Sequence, residues 1–527
     1  MKPAQIISAD IAVIGAGLGG VLAAWSACRP GLRVVLTSRY DWLGGQMTAQ
    51  GVPPDEHRLI EHGGASRSYQ AFRAALRADY LAQPGFQNQA FMTAGLNPGD
   101  GWVSRLCFEP KLAADYFEAL LAPLVAAGQL QILRHSWPVA AQRSGRRIAT
   151  VDLQTAEASI LRVQAALFID ATDTGDLLPL AGLPYRLGKE ARHEFNEDLA
   201  PLLADRLDQQ PVTHVIALRR HAEPGPVTPA PASYAFWRAH QLPHYGHALF
   251  SDWIPGGESG QSRQFALFAG TDPQDPTLDL WRYRRVVAAH QWQPARDEVS
   301  LINWAHNDYA LQPLLDGPQP QAEVEAAARD LSLCLLHWLQ TEAPRSASCG
   351  GGQGYPELQA APDVLGTPDG LGQQVYVRES RRIQGLETLS QPQLQAQPAK
   401  QYQNSVGIAW YMMDMHPTCI SGQGLNAHVL PFELPLGCFV PADCDNLLPA
   451  SKNLSVTHLV NACTRVHPAE WLIGEVAGRL AAFALQHQVT PAALHADPAL
   501  TLALQQDLAA QGIPLHWDAA LLARLDP

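Results

Sequence analysis

The sequence predicts an α/β fold in which a parallel sheet with a β-meander receives an inserted α+β unit. Three observations predict it. A short apolar run at residues 11–14 enters Gly15-x-Gly17-x-x-Gly20, an Ala-rich amphipathic stretch leaves it, and a second apolar run follows at 32–37. A helical stretch at 110–128 precedes short strand-like runs at 131–134, 139–142, 148–154 and 159–163, and then an apolar strand at 166–170. From 200 to 345 proline and aromatic residues become frequent, with Trp237, Trp253, Trp281, Trp292, Trp304 and Trp338.

The first observation reads as strand, tight turn and helix. Gly15 permits the turn, Gly17 lets the backbone approach a pyrophosphate, and Gly20 lets the helix pack on the strand; Ala16, Leu18 and Gly19 complete the loop. The first helical N–H groups and the positive end of the helix dipole then favour phosphate. A glycine turn of no function lacks the flanking strands, so the reading is a Rossmann-like dinucleotide site.

In such a site the second strand ends in an acid that bonds the ribose. Here that place holds Ser38, followed by Arg39. A serine hydroxyl bonds a ribose more weakly than a carboxylate, and an arginine there can accept the 2′-phosphate of NADP. The next residues, Asp41-Trp42-Leu43-Gly44-Gly45-Gln46, resemble the Leu-Gly-Gly turn of FAD enzymes of the glutathione-reductase-like class, so FAD is expected rather than NADP. The strand at 166–170 runs into Asp170-Ala171-Thr172-Asp173-Thr174-Gly175-Asp176, which resembles the second FAD contact of that class; Ala171, Thr172, Gly175 and Asp176 are expected beside the nucleotide. No second strand–Gly-x-Gly-x-x-Gly–helix unit occurs, so no dedicated nicotinamide domain is expected.

Composition bounds the function. The 527 residues suffice for two or three domains. A formal net charge of −13 with no basic stripe argues against nucleic acid and against an anionic membrane surface. No run of about 18 apolar residues occurs, so no membrane span is expected. Residues 1–9 carry no sustained apolar region, so no secretory leader is expected. The eight cysteines are dispersed without Cys-x-x-Cys, as for free thiols in a reducing cytoplasm. No His-Glu-x-x-His spacing occurs, and no metal is expected.

Four segments follow. Residues 1–200 form the first part of the FAD-binding domain, 201–345 an inserted substrate or cap domain, 346–490 the return to the FAD-binding domain, and 491–527 a C-terminal helical tail. A polar loop at 46–68 should border the flavin, and a helix is expected at 69–81. Within the insert, a strand is expected at 212–218, and the cluster Asn303-Trp304-Ala305-His306-Asn307-Asp308-Tyr309 offers Asn303, Trp304 and Tyr309 as substrate contacts, or else a capped turn. Asp252-Trp253-Ile254-Pro255 carries part of the flavin-halogenase tryptophan motif but lacks its first tryptophan. The glycine-rich run 349–354 reads as a flexible linker.

In the C-terminal third, Tyr376-Val377-Arg378-Glu379-Ser380-Arg381-Arg382-Ile383-Gln384-Gly385 and Asp414-Met415-His416-Pro417 resemble the Arg-Glu-Ser-Arg-Arg strand and the Asp-x-His-Pro turn of the FAD-dependent oxidoreductase family. Asn446-Leu447-Leu448-Pro449-Ala450-Ser451 and Thr464-Arg465-Val466-His467-Pro468, with a closing helix at 471–486, complete the pattern. Departures are Ser38 for the acid, Ser451-Lys452 for Gly-Arg, and Gly474-Glu475-Val476-Ala477-Gly478 for Gly-Gln-Ala-Ala-Gly. The resemblance implies that the closing helix aims its N-terminus at the flavin, where Arg465 could add charge.

The expected activity is that of a flavin oxidase or dehydrogenase: a hydride leaves a C–H next to O or N of a small polar metabolite while a base takes a proton. Histidine suits a base that must be unprotonated near neutrality. His416 and His467 are the candidates, each also readable as a hydrogen-bonded turn histidine. Asp414 would orient His416, because residues two apart in a strand share a face. Arg378 is a candidate for a substrate carboxylate, or else an internal ion pair with Glu379. Oxygen or a separate acceptor would take the electrons. The alternatives are a flavin monooxygenase or halogenase fed by NAD(P)H or a reductase, and a non-catalytic FAD-binding protein.

Overall fold

The computed structural model describes residues 5–525 apart from 92–94, 243, 256–260, 271, 273, 275 and 398. The central sheet is built from β1 (Gln5–Ile14), β2 (Val34–Thr37), β3 (Leu130–Leu133), β4 (Ser136–Ser144), β5 (Arg147–Thr155) and β6 (Ile160–Asp170). Their order is β3-β2-β1-β6-β5-β4. β3, β2, β1 and β6 are parallel, and β4 and β5 return as an antiparallel meander. Parallel strands are buried on both faces, and β1 follows suit. Ile11 and Val13 pack in the larger core beside the first helix. Ala12 and Ile14 pack on the other face against Val151, Leu153, Leu177 and Leu178.

The two runs expected at 159–163 and 166–170 are one strand. Its first part pairs antiparallel with β5 and its last residues pair parallel with Leu447–Pro449, so one strand serves two neighbours on one edge. The helices α1 (Leu18–Ala27), α2 (Arg67–Ala82) and α3 (Pro110–Ala126) follow the expected spacing. α2 starts earlier than its apolar pattern because the Ser66 hydroxyl caps it, accepting from the Tyr69 N–H at 3.3 Å.

A second, antiparallel sheet is formed by β7 (Ile216–Arg220), β8 (Arg285–Val287), β9 (Glu298–Ile302) and β10 (Leu358–Ala360), in the order β8-β9-β7-β10. The helix α4 (Gln321–Thr341) covers it through Leu331 and Leu335, which share a core with Ile216, Leu218 and Ile302. The strand expected at 212–218 is broken at 214–215 because its halves have different partners: Val212–Thr213 pairs with Asp308–Tyr309, and β7 with β9 and β10. The run 349–354 is a closed turn and not a free linker. The Arg345 guanidinium bonds Cys349 O at 3.0 Å and Gly354 O at 2.7 Å.

Two short strands, β11 (Met413–Met415) and β12 (Leu425–Ala427), pair antiparallel. The helices α5 (His458–Thr464) and α6 (His467–Gln486) follow, so the closing helix begins before residue 471. α6 crosses α1 backbone to backbone: a Cβ on Gly474 would lie 2.2 Å from Gly19 O, and one on Gly478 2.2 Å from Ala23 O. Among the described residues no helix is long and apolar enough to cross a membrane.

Candidate active site

A cleft opens at the carboxyl ends of β1, β2 and β6, where open parallel sheets bind nucleotides. Gly15 turns there with φ +104°, and a Cβ on it would stand 2.5 Å from Ala171 O. Its N–H donates to Thr37 Oγ1 at 2.9 Å. Gly17 differs: a Cβ there would make only ordinary contacts, 3.7 Å from Ala171 O and 3.9 Å from Asp173, so its bareness serves the cleft and not the chain. Asp170 pins the opposite wall. It is fully buried and accepts from the Thr172 N–H (3.1 Å), the Thr172 hydroxyl (2.7 Å) and the Leu177 N–H (3.1 Å). Burial pushes its pKa up to about 7 despite these donors.

Gly15, Ala16, Gly17, Ser38, Arg39, Gly45, Ala171, Thr172 and Asp176 line this cleft. Seven other expected cofactor residues do not. Leu18, Gly19 and Gly20 lie behind it in the helix start; a Cβ on Gly19 would meet Ala450 O at 1.6 Å. Gly44 makes room for the Phe117 ring, and Gly175 for Arg381 O. The Gln46 amide bonds the Glu470 carboxylate and Arg465 O. Arg465 is buried away from the cleft and pairs with Asp414. The Ser38 hydroxyl donates to Tyr40 O at 2.8 Å. Arg39 lies over the rings of Trp137 (5.2 Å) and Tyr40 (5.8 Å), a cation–π position. Trp137, Pro138 and Gln374 also line the cleft and carry no motif that sequence reading could use. Behind it the fully buried Lys452 bridges Asp173 (2.8 Å) and Glu470 (3.3 Å). Burial disfavours its ammonium, yet the two carboxylates push its pKa up.

A second cavity, of about 250 Å³, is walled by Trp102, Phe265, Tyr283, Asn303, Trp304, Asp414 and His416, among others. Here residues from 245–305 meet residues from 414–426. His416 Nδ1 bonds Asp308 Oδ2 at 2.5 Å, and its Nε2 lies 3.7 Å from Asp414 Oδ2. Each carboxylate has an arginine: Arg378 meets Asp308 Oδ1 at 2.9 Å, and Arg465 meets Asp414 Oδ2 at 3.1 Å. The result is one line, Arg378–Asp308–His416–Asp414–Arg465. Burial and Arg378 act to lower the His416 pKa, but the two carboxylates prevail and raise it. Burial would raise Asp308 and Asp414, but Arg378 and His416 hold the first, and His416 and Arg465 the second, well below the ordinary carboxylate range.

Residues 374–378 run from the cleft to this line of charges. Gln374, Val375 and Val377 line the cleft, while the Tyr376 hydroxyl accepts from Arg465 at 2.8 Å.

Three expected roles change. His467 has no free nitrogen: Nδ1 accepts from the Asp55 N–H at 2.9 Å and Nε2 faces Val52 O at 3.1 Å. Burial pushes its pKa down to about 3, so it is a neutral tie for the buried 52–55 loop and not a base. Arg378 is consumed by Asp308, Pro211 O, Thr213 and Asn303, which leaves no fork for a substrate carboxylate. Tyr309 lies outside both cavities and packs its ring against Trp237 at 6.0 Å. Asp308 is the residue that sequence reading missed; it stood within the 303–309 cluster without a spacing that linked it to His416. Among the described residues, no group of three or more His, Cys, Asp or Glu could hold a metal ion.

The sequence profile of the family described as FAD dependent oxidoreductase matches residues 10–508. No curated protein matches the chain. Among solved structures, a geranylgeranyl bacteriochlorophyll reductase-like protein from Thermoplasma acidophilum is similar at 10% identity and TM-score 0.33, over 97% of this chain and 85% of that one. A myxobacterial chondrochloren halogenase is similar at 18% identity and TM-score 0.22, over 42% and 45%. An L-proline dehydrogenase from P. horikoshii is similar at 15% identity and TM-score 0.18, over 33% and 25%. This and two further solved chains are spanned over only 25%, 34% and 43% of their own lengths.

Proposed function

The chain belongs to the FAD dependent oxidoreductase family, and we propose that it works as an oxidase or dehydrogenase on a C–H bond next to O or N, with His416 as the base. The cleft residues fit FAD: Gly17 leaves room that no chain atom fills, and the turns at Gly15 and Gly45 bring backbone to the same place. Gly15, Ala16, Gly17, Gly45, Ala171 and Thr172 would hold the nucleotide. FAD, when bound, supplies a two-electron acceptor for the hydride.

The observation that carries the reading is the His416 ring, held between two carboxylates on the wall of the second cavity. Asp308 at Nδ1 fixes the tautomer and leaves the Nε2 lone pair to take a proton. The substrate O–H or N–H gives its proton to Nε2 as the hydride leaves the adjacent carbon, so a C–OH becomes C=O, or a C–NH becomes C=N. His416 then returns the proton to solvent, and oxygen or a separate acceptor takes the two electrons. Anaerobic addition of pooled alcohols, amines, amino acids and hydroxy acids to the FAD-loaded protein tests this. Bleaching of the flavin band by one pool supports it, and bleaching by NAD(P)H alone contradicts it.

A further inference from the structure

The proposed chemistry belongs to the chamber around His416; the nucleotide cleft carries a separate feature. The acid that ends the second strand of a dinucleotide fold is missing here, and Ser38 does not replace it. Ser38 is 2% exposed, and its hydroxyl donates to Tyr40 O at 2.8 Å. Three carboxylates line the cleft: Asp173, Asp176 and Glu325. Asp173 is taken by the Lys452 ammonium at 2.8 Å and by the amides of Gln50 (3.0 Å) and Gln374 (3.2 Å). Asp176 meets Arg381 at 3.2 Å and accepts from the Thr174 hydroxyl at 2.7 Å. Glu325 differs from both. Its Oε1 accepts from the Gln321 amide, one helical turn earlier, at 2.8 Å. Among the described residues it has no ion pair and no other hydrogen bond, and it is half-buried.

Two observations place this carboxylate beside the end of β2. Gln321 and Glu325, at the start of α4, line the same cleft as Ser38, Arg39 and Tyr40. Burial raises the Tyr40 phenol pKa, Arg39 opposes, and the Glu325 charge adds to the rise ahead of Asp173 and Asp176. Arg39 lies over the rings of Trp137 and Tyr40 and forms no ion pair with Glu325. A carboxylate offers about four acceptor positions, and Gln321 fills one. The helix that covers the second sheet thus brings an open acid to the place where the strand lacks one.

We propose that Glu325 is the acid that binds the adenosine ribose of FAD, its carboxylate accepting from the 2′- and 3′-hydroxyls in place of the missing acid of β2. This rests on reading the cleft as the FAD site. Hydrogen bonds to an ionised acceptor are roughly twice as strong as neutral ones. The same charge repels a 2′-phosphate, so Glu325 also selects against NADP despite Arg39.

Flavin fluorescence on the full-length protein tests it, with FAD as reporter and nucleotides as competitors. In the wild type, ADP is expected to bind about tenfold or more tighter than 2′-deoxy-ADP. Glu325→Ala keeps a strong helix former at a half-buried position. It should bind ADP about tenfold more weakly and bind the two nucleotides equally. Inosine diphosphate, which alters the base alone, should stand in the same ratio to ADP in both proteins. If the alanine variant does not fold, Glu325→Gln keeps the volume and removes the charge, and it should narrow the preference for ADP at least about threefold. A preference for ADP over 2′-deoxy-ADP that survives in the folded variant overturns the proposal. A changed inosine ratio overturns it too, because the base is then the partner, and so does adenosine 2′,5′-bisphosphate binding tighter than AMP. The two readings separate. Absence of FAD binding sinks the cleft reading and this proposal together, whereas FAD binding with an unchanged preference in the variant sinks this proposal alone.

Discussion

His416 Nδ1 lies 2.5 Å from Asp308 Oδ2, across 108 residues of sequence. Arg378 and Thr213 hold the other oxygen of that carboxylate. The imidazole is thereby fixed in one tautomer, with Nε2 toward Asp414 and the chamber.

Replacing that ring should remove the base and little else. His416→Gln is expected to lower kcat and kcat/KM together by about 10²–10⁴. FAD content should be unchanged, because His416 does not line the nucleotide cleft. Steady-state kinetics with a flavin absorption ratio on the same sample checks both halves.

The pH dependence follows from the neighbours. The His416 pKa is raised above its ordinary 6.5. A base works when unprotonated, so kcat/KM should rise with pH through a value above 6.5. Asp308→Asn removes a carboxylate that favours the imidazolium, so the acid limb should move to lower pH. A limb that stays in place in this variant assigns the titration to another group.

Gly17 and Gly19 separate binding from folding. Gly17→Ala meets nothing closer than 3.7 Å and should fold with an unchanged circular dichroism spectrum, yet bind FAD at least about tenfold more weakly. Gly19→Ala puts its methyl 1.6 Å from Ala450 O and should fail to fold. A flavin-loaded Gly17→Ala would contradict the cleft assignment.

Glu475 stands where the family has Gln, and it is buried in α6. Burial pushes its pKa from the ordinary 4.5 up to about 7, although the Ser68 hydroxyl donates to it. A raised carboxyl stabilises fully below pH 4.5, and that stability is lost as pH rises through 7. Glu475→Gln should therefore stabilise by about 3 kcal/mol at pH 8. It should change little at pH 4. Denaturant melts at the two pH values measure this, and an equal effect at both refutes it.

His467 titrates with the opposite sign. Its pKa is pushed down to about 3, so its stability is complete above the ordinary 6.5 and is lost as pH falls toward 3. From pH 7 to pH 5 this one group should cost about 2 kcal/mol. His467→Gln should remove that share of the pH dependence, read by denaturant melts at the same two values. An unaltered dependence means that the ring is already charged in the fold.

The nucleotide end was the more legible part. A turn such as Gly15-x-Gly17 is dictated by its own backbone, with φ +104° at Gly15, and strands and helix flank it within forty residues. The Asp-Ala-Thr turn after β6 was readable for the same reason, since Asp170 satisfies the N–H groups of residues two and seven ahead. The chamber was readable only in pieces: Asn303, Trp304, Asp414 and His416 line it, but nothing in the sequence joined the first two to the last two. Asp308 reaches His416 only because Asp308–Tyr309 pairs with Val212–Thr213, a contact that no local spacing announces. Trp102 and Tyr283 join from distant segments in the same way. His467 misled because its position at the start of α6 was legible, while the 52–55 backbone that occupies both its nitrogens was not. In the Arg-Glu-Ser-Arg-Arg stretch, Arg381 and Arg382 turn inward to Asp316 and Glu190, and the charges are structural.

The central claim is that His416 removes a proton as the substrate C–H is broken. The most direct measurement is the rate of anaerobic flavin bleaching by a reducing substrate, followed from pH 5 to 9 in the wild type and in His416→Gln. The account predicts a wild-type rate that climbs through a pKa above 6.5 and a variant rate that is about 10²–10⁴ lower and flat over the same range. Equal rates in the two proteins, or bleaching by NAD(P)H alone, would contradict it.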